Sequence, residues 1–150
     1  MFAGHCPPLS EEVIDQYAEA RLSRQKLLTR VPLAELSFIV SEETLRNPVG
    51  DAEVMRGQWQ RLLEVGALRN VEVQVMPVSP GFHSGLKGPF VVLETSEHHH
   101  LGYIESQEVG CVIRDPAEVS AFGWRYGKLR SQALNGVESA RLIERLVGET

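Results

Sequence analysis

Residues 71–105 read VEVQVMPVSPGFHSGLKGPFVVLETSEHHHLGYIE, and they decide the fold. Val71, Val73 and Val75 alternate with Glu72, Gln74 and Met76, the period of a strand with one face turned inward. FVVLET is apolar on both sides: Phe90 and Val92 fall on one face, Val91 and Leu93 on the other. The short polar turn SEHHH predicts that FVVLET and LGYIES pair directly as a hairpin. Between the first strand and the hairpin lies SPGFHSGLKGP, residues 79–89, with Pro80, Pro89, Gly81, Gly85 and Gly88. Such a run is neither helical nor laddered, and a shaped polar loop between buried strands is where function is expected.

On the N-terminal side, Ser10 with Glu11 and Glu12 behind it reads as a helix cap, and Val13, Tyr17, Ala20 and Leu27 predict a helix from about Ser10 to Arg30, ended by Pro32. ELSFIVSEE is rich in Phe, Ile and Val, which predicts a strand buried on both faces or at a sheet centre. Asn47, Pro48 and Gly50 then break the chain. Asp51 caps a second amphipathic helix, with Met55, Trp59, Leu62 and Leu63 on one stripe and Gly66 at its end.

Beyond the hairpin, CVIRD repeats the two-sided apolar pattern as a further strand. Asp115, Pro116 and Glu118 place a cap, a first-turn proline and a reciprocal glutamate in register. The helix they start carries the stripe Val119, Phe122, Tyr126, Leu129 and Ala133. Asn135 and Glu138 repeat the capping box ahead of a short last helix through Ala140, Ile143 and Val147. The sum is an α+β domain: a small, mostly antiparallel sheet of four or five strands with about four packed helices. A length of 150 residues, 43% of them hydrophobic, suits one domain over residues 1–150 with one core.

A formal charge of −5, from 20 acidic and 15 basic residues, gives no electrostatic reason to expect direct contact with nucleic acid. No apolar run approaches the roughly 20 residues that span a bilayer, and MFAGHCPPLSEE lacks the parts of a signal peptide, so no membrane partner and a cytoplasmic location are expected. Cys6 and Cys111 form no paired spacing and suit a reducing compartment, a Cys6–Cys111 bridge being the alternative.

Within the loop, His83, Ser84 and Lys87 supply a titratable ring, a hydroxyl and a cation among glycines that allow close backbone approach. That is how a pocket for a small anion or polar metabolite is built, although a demanding connection with solvent-facing side chains has the same composition. No G-K-[S/T] ending or following helix supports nucleotide binding. His98, His99 and His100 project in different directions from a turn, so they read as a solvated turn, with no metal and no cofactor expected. Glu94 and Glu105 end paired strands and serve acid–base chemistry only if they share a face near His83. No motif for nucleophilic catalysis is present. Trp124 lies about 200° round its helix from Phe122, off the apolar stripe, and suits either a partner surface or a second buried face. Arg21, Arg24, Lys26 and Arg30 read as a solvated basic helix face able to meet an acidic partner.

Taken in order, YAEARLSRQKLL, SEETLRNPVG with EVMRGQWQRLLEV, NVEVQVMPVSPGFHSGLKGPFVVLE, YIES, and FGWRYGKLRSQAL with ESARLIERL carry a resemblance. Together, from about Leu9 to Gly148, they resemble the C-terminal domain of unknown function behind the Xre-type helix-turn-helix of actinobacterial, antitoxin-like transcriptional regulators. The resemblance implies a domain that senses a small-molecule effector or a small partner protein, often a short acidic one encoded next door, and relays the state to a DNA-binding domain. The helix-turn-helix itself is not in this sequence, so it is expected as a partner only within a longer chain, and DNA binding is not carried over. The resemblance supplies no catalytic residues.

The expectation is therefore a non-enzymatic regulatory domain that binds through a sheet edge and the loop from Pro80 to Pro89, and that forms a homodimer. Phe82, His83, Ser84, Lys87, Glu94, Tyr103, Glu105 and Trp124 are the candidate binding residues. Two alternatives come from other classes: a small hydrolase or lyase using His83 with Glu94 or Glu105, and a dimerisation platform without ligand.

Overall fold

The computed structural model describes residues 9–78, 83–106 and 109–149. Helix α1 (Glu11–Arg24) starts at Ser10, whose Oγ accepts from the Val13 amide. The chain continues as one 3-10 turn, Gln25–Leu28, instead of α-helix to Arg30. The reason is packing: no side chain of α1 is fully buried, and Tyr17, Leu22 and Leu27 stay exposed. A helix without a docked face gains little from another turn. The buried side-chain amide of Asn70 donates to the Leu28 and Ala34 carbonyls and holds the chain that leads into the first strand.

Strand β1 (Leu36–Ser41) runs into a short helix α2 (Glu42–Arg46), capped by Ser41 Oγ on the Thr44 amide at 3.1 Å. Helix α3 (Ala52–Gly66) begins at Asp51, which accepts from the Val54 amide at 2.9 Å. Strand β2 (Val71–Met76) then pairs with β1 in parallel, Phe38 opposite Val73 and Val40 opposite Val75. Such pairing requires a crossover, and α2 with α3 supplies it.

Strands β3 (Phe90–Glu94), β4 (His100–Ser106) and β5 (Val109–Ile113) form a separate antiparallel sheet in that order. The fold is α+β with five strands, as the sequence predicts. They form a parallel pair and an antiparallel three, however, where the sequence suggested one sheet. Within residues 79–89, Ser84–Lys87 forms one 3-10 turn instead of irregular loop. Among the described residues, no helix is long and apolar enough to cross a membrane.

Helix α4 (Pro116–Gln132) starts with Asp115 accepting from the Ala117 and Glu118 amides, and helix α5 (Gly136–Gly148) with a complete Asn135–Glu138 capping box. The core joins Leu45, Trp59, Val75, Leu142, Ile143 and Leu146, so α2, α3 and α5 close over β2. Trp59 donates its indole N–H to the Leu45 carbonyl at 3.1 Å. The edge of β2 away from β1 is closed by Leu134, which follows α4, and by the first turn of α5. There Val75 donates to Ser139 Oγ and accepts from the Leu134 amide, both at 2.9 Å.

Helix α4 links the two sheets. Phe122 packs on Phe90, ring centroids 5.4 Å apart, and lies so close to β4 that a Cβ on Gly102 would come within 3.1 Å of its ring. On the other sheet, Tyr126 donates its hydroxyl to Ser37 Oγ at 2.6 Å and Arg130 pairs with Glu72 at 2.7 Å. Ser37 and Glu72 are partners in register, so α4 covers one face of the β1–β2 sheet and one face of the antiparallel sheet.

Candidate functional site: two grooves beside helix α4

The first groove, about 680 Å³, lies between β1 and β3. Residues 37–41 line one wall, residues 88–92 the other, and Tyr126 and Leu129 of α4 the base. His83 enters it from the loop, half-buried, with Nδ1 fully shielded and without a hydrogen-bond partner among the described residues. Gly85 leaves room for this ring: a Cβ there would stand 3.0 Å from His83 Nδ1, so the ring would have to give by a few tenths of an ångström. Lys87 is exposed at the end of the 3-10 turn that Ser84 begins. Phe82 lies outside the described residues.

The second groove, about 1310 Å³, runs between α4 and the β3–β4 turn. Trp124 stands on its wall at 80% exposure, and Arg114, Arg125 and Lys128 line the same groove. Arg114 and Lys128 make no ion pair among the described residues, while the Arg125 guanidinium lies 5.2 Å above the Phe122 ring. Val92 and Val119 give the groove an apolar base. An indole beside three cations on an apolar floor is suited to an amphipathic anion or an acidic segment.

Glu94 ends β3 beside this groove. Its carboxylate contacts His98 Nδ1 at 2.5 Å and His100 Nε2 at 3.5 Å. The hydrogen bond from His98, aided by the charge on His100 and His98 when protonated, holds Glu94 below the usual carboxylate range. His99 instead approaches Glu97 at 3.6 Å, so the three rings diverge. Among the described residues, no three His, Cys, Asp or Glu side chains converge as a metal site.

Tyr103 and Glu105 occupy the opposite face of the antiparallel sheet. Val91 pairs with Tyr103 and Tyr103 in turn with Val112, Leu93 pairs with Leu101, and Glu105 with Gly110, which places all of them away from α4. On this open face Val91, Leu93 and Val112 are 50%, 42% and 50% exposed. Glu94, opposite His100, faces the α4 side. Five residue steps along β4, about 16 Å, separate His100 from Glu105, so the two carboxylates cannot flank one bond.

The candidate residues therefore divide among three places: His83 between β1 and β3, Trp124 and Glu94 beside α4, Tyr103 and Glu105 on the open face. Arg114, Arg125 and Lys128 were not singled out from the sequence as binding residues. Of the three, only Lys128 had a signal, its i to i+4 spacing from Trp124 on one helix.

Two grooves on one helix define this chain as an α+β domain with concave surfaces on both flanks of α4. A family model described as Domain of unknown function (DUF5753) matches residues 1–145, and the chain belongs to that family. Neither the curated proteins nor the solved structures give a match.

Proposed function

We propose that this is a non-enzymatic sensing domain of a transcriptional regulator, which binds a small-molecule effector or a small acidic partner protein and relays the bound state to a DNA-binding domain. The observation that carries the reading is the groove around Trp124. Trp124 is left 80% exposed in a groove also lined by Arg114 and Lys128, which make no ion pair among the described residues. Exposed Trp and Arg in a concave, partly apolar site are what binding hot spots are made of. An acidic protein with a locally basic groove also directs an anion to one place on its surface. The resemblance to domains behind actinobacterial Xre-type helix-turn-helix segments supports the regulatory context.

Helix α4 supplies the relay. It carries Trp124 on one side and, through Tyr126 and Arg130, holds the β1–β2 sheet on the other. An occupant that prefers one setting of α4 shifts the relation between the two sheets by its difference in affinity for the two settings, and by no more than that.

The test is a titration of wild type and Trp124→Ala with acidic peptides and with carboxylated or phosphorylated metabolites, followed by isothermal titration calorimetry for both proteins and, in the wild type, by tryptophan fluorescence as well. Trp59 is buried and hydrogen-bonded, so a change in emission reports Trp124. The reading predicts saturable binding that weakens with salt and is at least about 30-fold weaker in the variant, a hot-spot loss of about 2 kcal/mol. Binding unaffected by the substitution would remove the groove from the account.

A further inference from the structure

The groove between β1 and β3 lies between the edge strands of two separate sheets. Leu36 donates its amide to the Asn70 carbonyl at 2.8 Å, so Leu36, Phe38 and Val40 turn their peptide groups toward β2. Ser37 and Ile39 must turn theirs the other way, into the groove. Across it, Thr95 donates to the His99 carbonyl at 2.9 Å. Hydrogen-bonded pairs alternate along an antiparallel ladder, so Leu93 and Val91 bond to β4, and Phe90 and Val92 direct N–H and C=O outward. Consecutive residues of each strand line the groove, which is what a strand edge presents and a strand face does not. No described residue pairs with either edge.

We infer that this gap is a strand-addition site, filled by an extended segment of another polypeptide that pairs with both edges. The inference does not depend on the groove at Trp124. Two facing rows of peptide donors and acceptors, each with a two-residue period, match a peptide backbone; a compact metabolite satisfies one or two of them. The strand order then becomes β2, β1, added strand, β3, β4, β5, and two exposed edges disappear. Side chains on one side of the added strand settle on Tyr126 and Leu129, near the unpartnered His83 Nδ1. Those on the other side meet Phe38 and Val91, which are 43% and 50% exposed. The only carboxylate lining the groove among the described residues is Glu35, which has no ion-pair partner there. The preferred segment therefore alternates apolar residues, carries no acidic side chain, and places a Lys or Arg opposite Glu35.

The experiment selects binders for the full chain from a displayed random heptapeptide library and follows the selected synthetic peptides by amide hydrogen exchange. Ile39→Pro is the decisive variant: its amide faces the groove, so proline removes a donor to the added strand and spares the β1–β2 ladder. Expected are apolar-alternating peptides that slow exchange at Ser37, Ile39, Phe90 and Val92 at least tenfold. N-methylation of alternate peptide residues should weaken binding at least tenfold, a control that needs no change in the protein. Ile39→Pro should match that loss, and Trp124→Ala should leave affinity unchanged. The inference is overturned if no peptide protects these four amides, if the same peptides bind Ile39→Pro equally well, or if Trp124→Ala abolishes binding. Protection of the four amides by a small molecule alone would also overturn it, while leaving the sensing function intact.

Discussion

Glu42 offers a sharp quantitative test of how the loop before the first groove is anchored. Its carboxylate accepts the Val78 amide at 3.0 Å and Arg46 Nε at 2.8 Å, with its side chain only 14% exposed. Those contacts, the Val78 amide first and Arg46 second, hold its pKa below the ordinary value of 4.5 despite partial desolvation. In Glu42→Gln the amide oxygen still accepts from Val78, but as a neutral bond. A charged bond contributes roughly 1.5–3 kcal/mol and a neutral one roughly 0.5–1.5. Arg46 is half-exposed, so its pairing adds little. The expected loss at pH 7 is about 1–2 kcal/mol, or a melting temperature lower by roughly 2–8 °C for a domain of this size. Because the folded pKa is depressed, the stabilisation is present above the unfolded pKa and disappears as pH falls through the folded one. Urea unfolding of both proteins between pH 7 and pH 3 should therefore show a gap that is constant down to about 4.5 and narrows below it, with unchanged m-values. A gap independent of pH would refute the reasoning, since the charge of Glu42 would then contribute nothing.

Other outcomes follow from the same contacts. Ser139→Ala leaves the Val75 amide buried without an acceptor, so chemical denaturation should show a loss of about 1–3 kcal/mol. Ile143→Ala empties a site that is 2% exposed in the middle of the core, and the same assay should show a loss of about 2–5 kcal/mol. Tyr126→Phe cuts the bond from α4 to Ser37 on the surface. It should change stability by less than about 1 kcal/mol but raise amide exchange along β1, the strand this bond ties to α4.

Much of the fold was legible because its signals are local. Asp51, Asp115 and Asn135 each mark a helix start that their side chains then cap. The polar turn between FVVLET and LGYIES correctly gave the antiparallel hairpin. The short helix at Glu42–Arg46 was missed, since SEE was read as a strand end although Ser41 followed by acids is also a helix start. Strand pairing was less legible: whether ELSFIVS joins its neighbour in parallel depends on the α2–α3 crossover, and its distance from FVVLE is set by α4 lying beneath both. The site divides in the same way. The glycines and His83 pointed to a pocket wall from composition alone, whereas the separation of Glu94 from Glu105 depends on strand register, and a one-residue slip would have reversed the faces. The set of Arg114, Arg125 and Lys128 lining one groove with Trp124 joins a strand end to a helix and as a whole has no linear signature.

The central claim is that the groove at Trp124 receives an effector or partner. Native mass spectrometry of the protein isolated from its native host, against its denatured mass and against Trp124→Ala, tests it most directly. The account predicts a defined extra mass on the wild type that the variant lacks at unchanged melting temperature. Bare protein at low salt, or an extra mass retained equally by the variant, would contradict it.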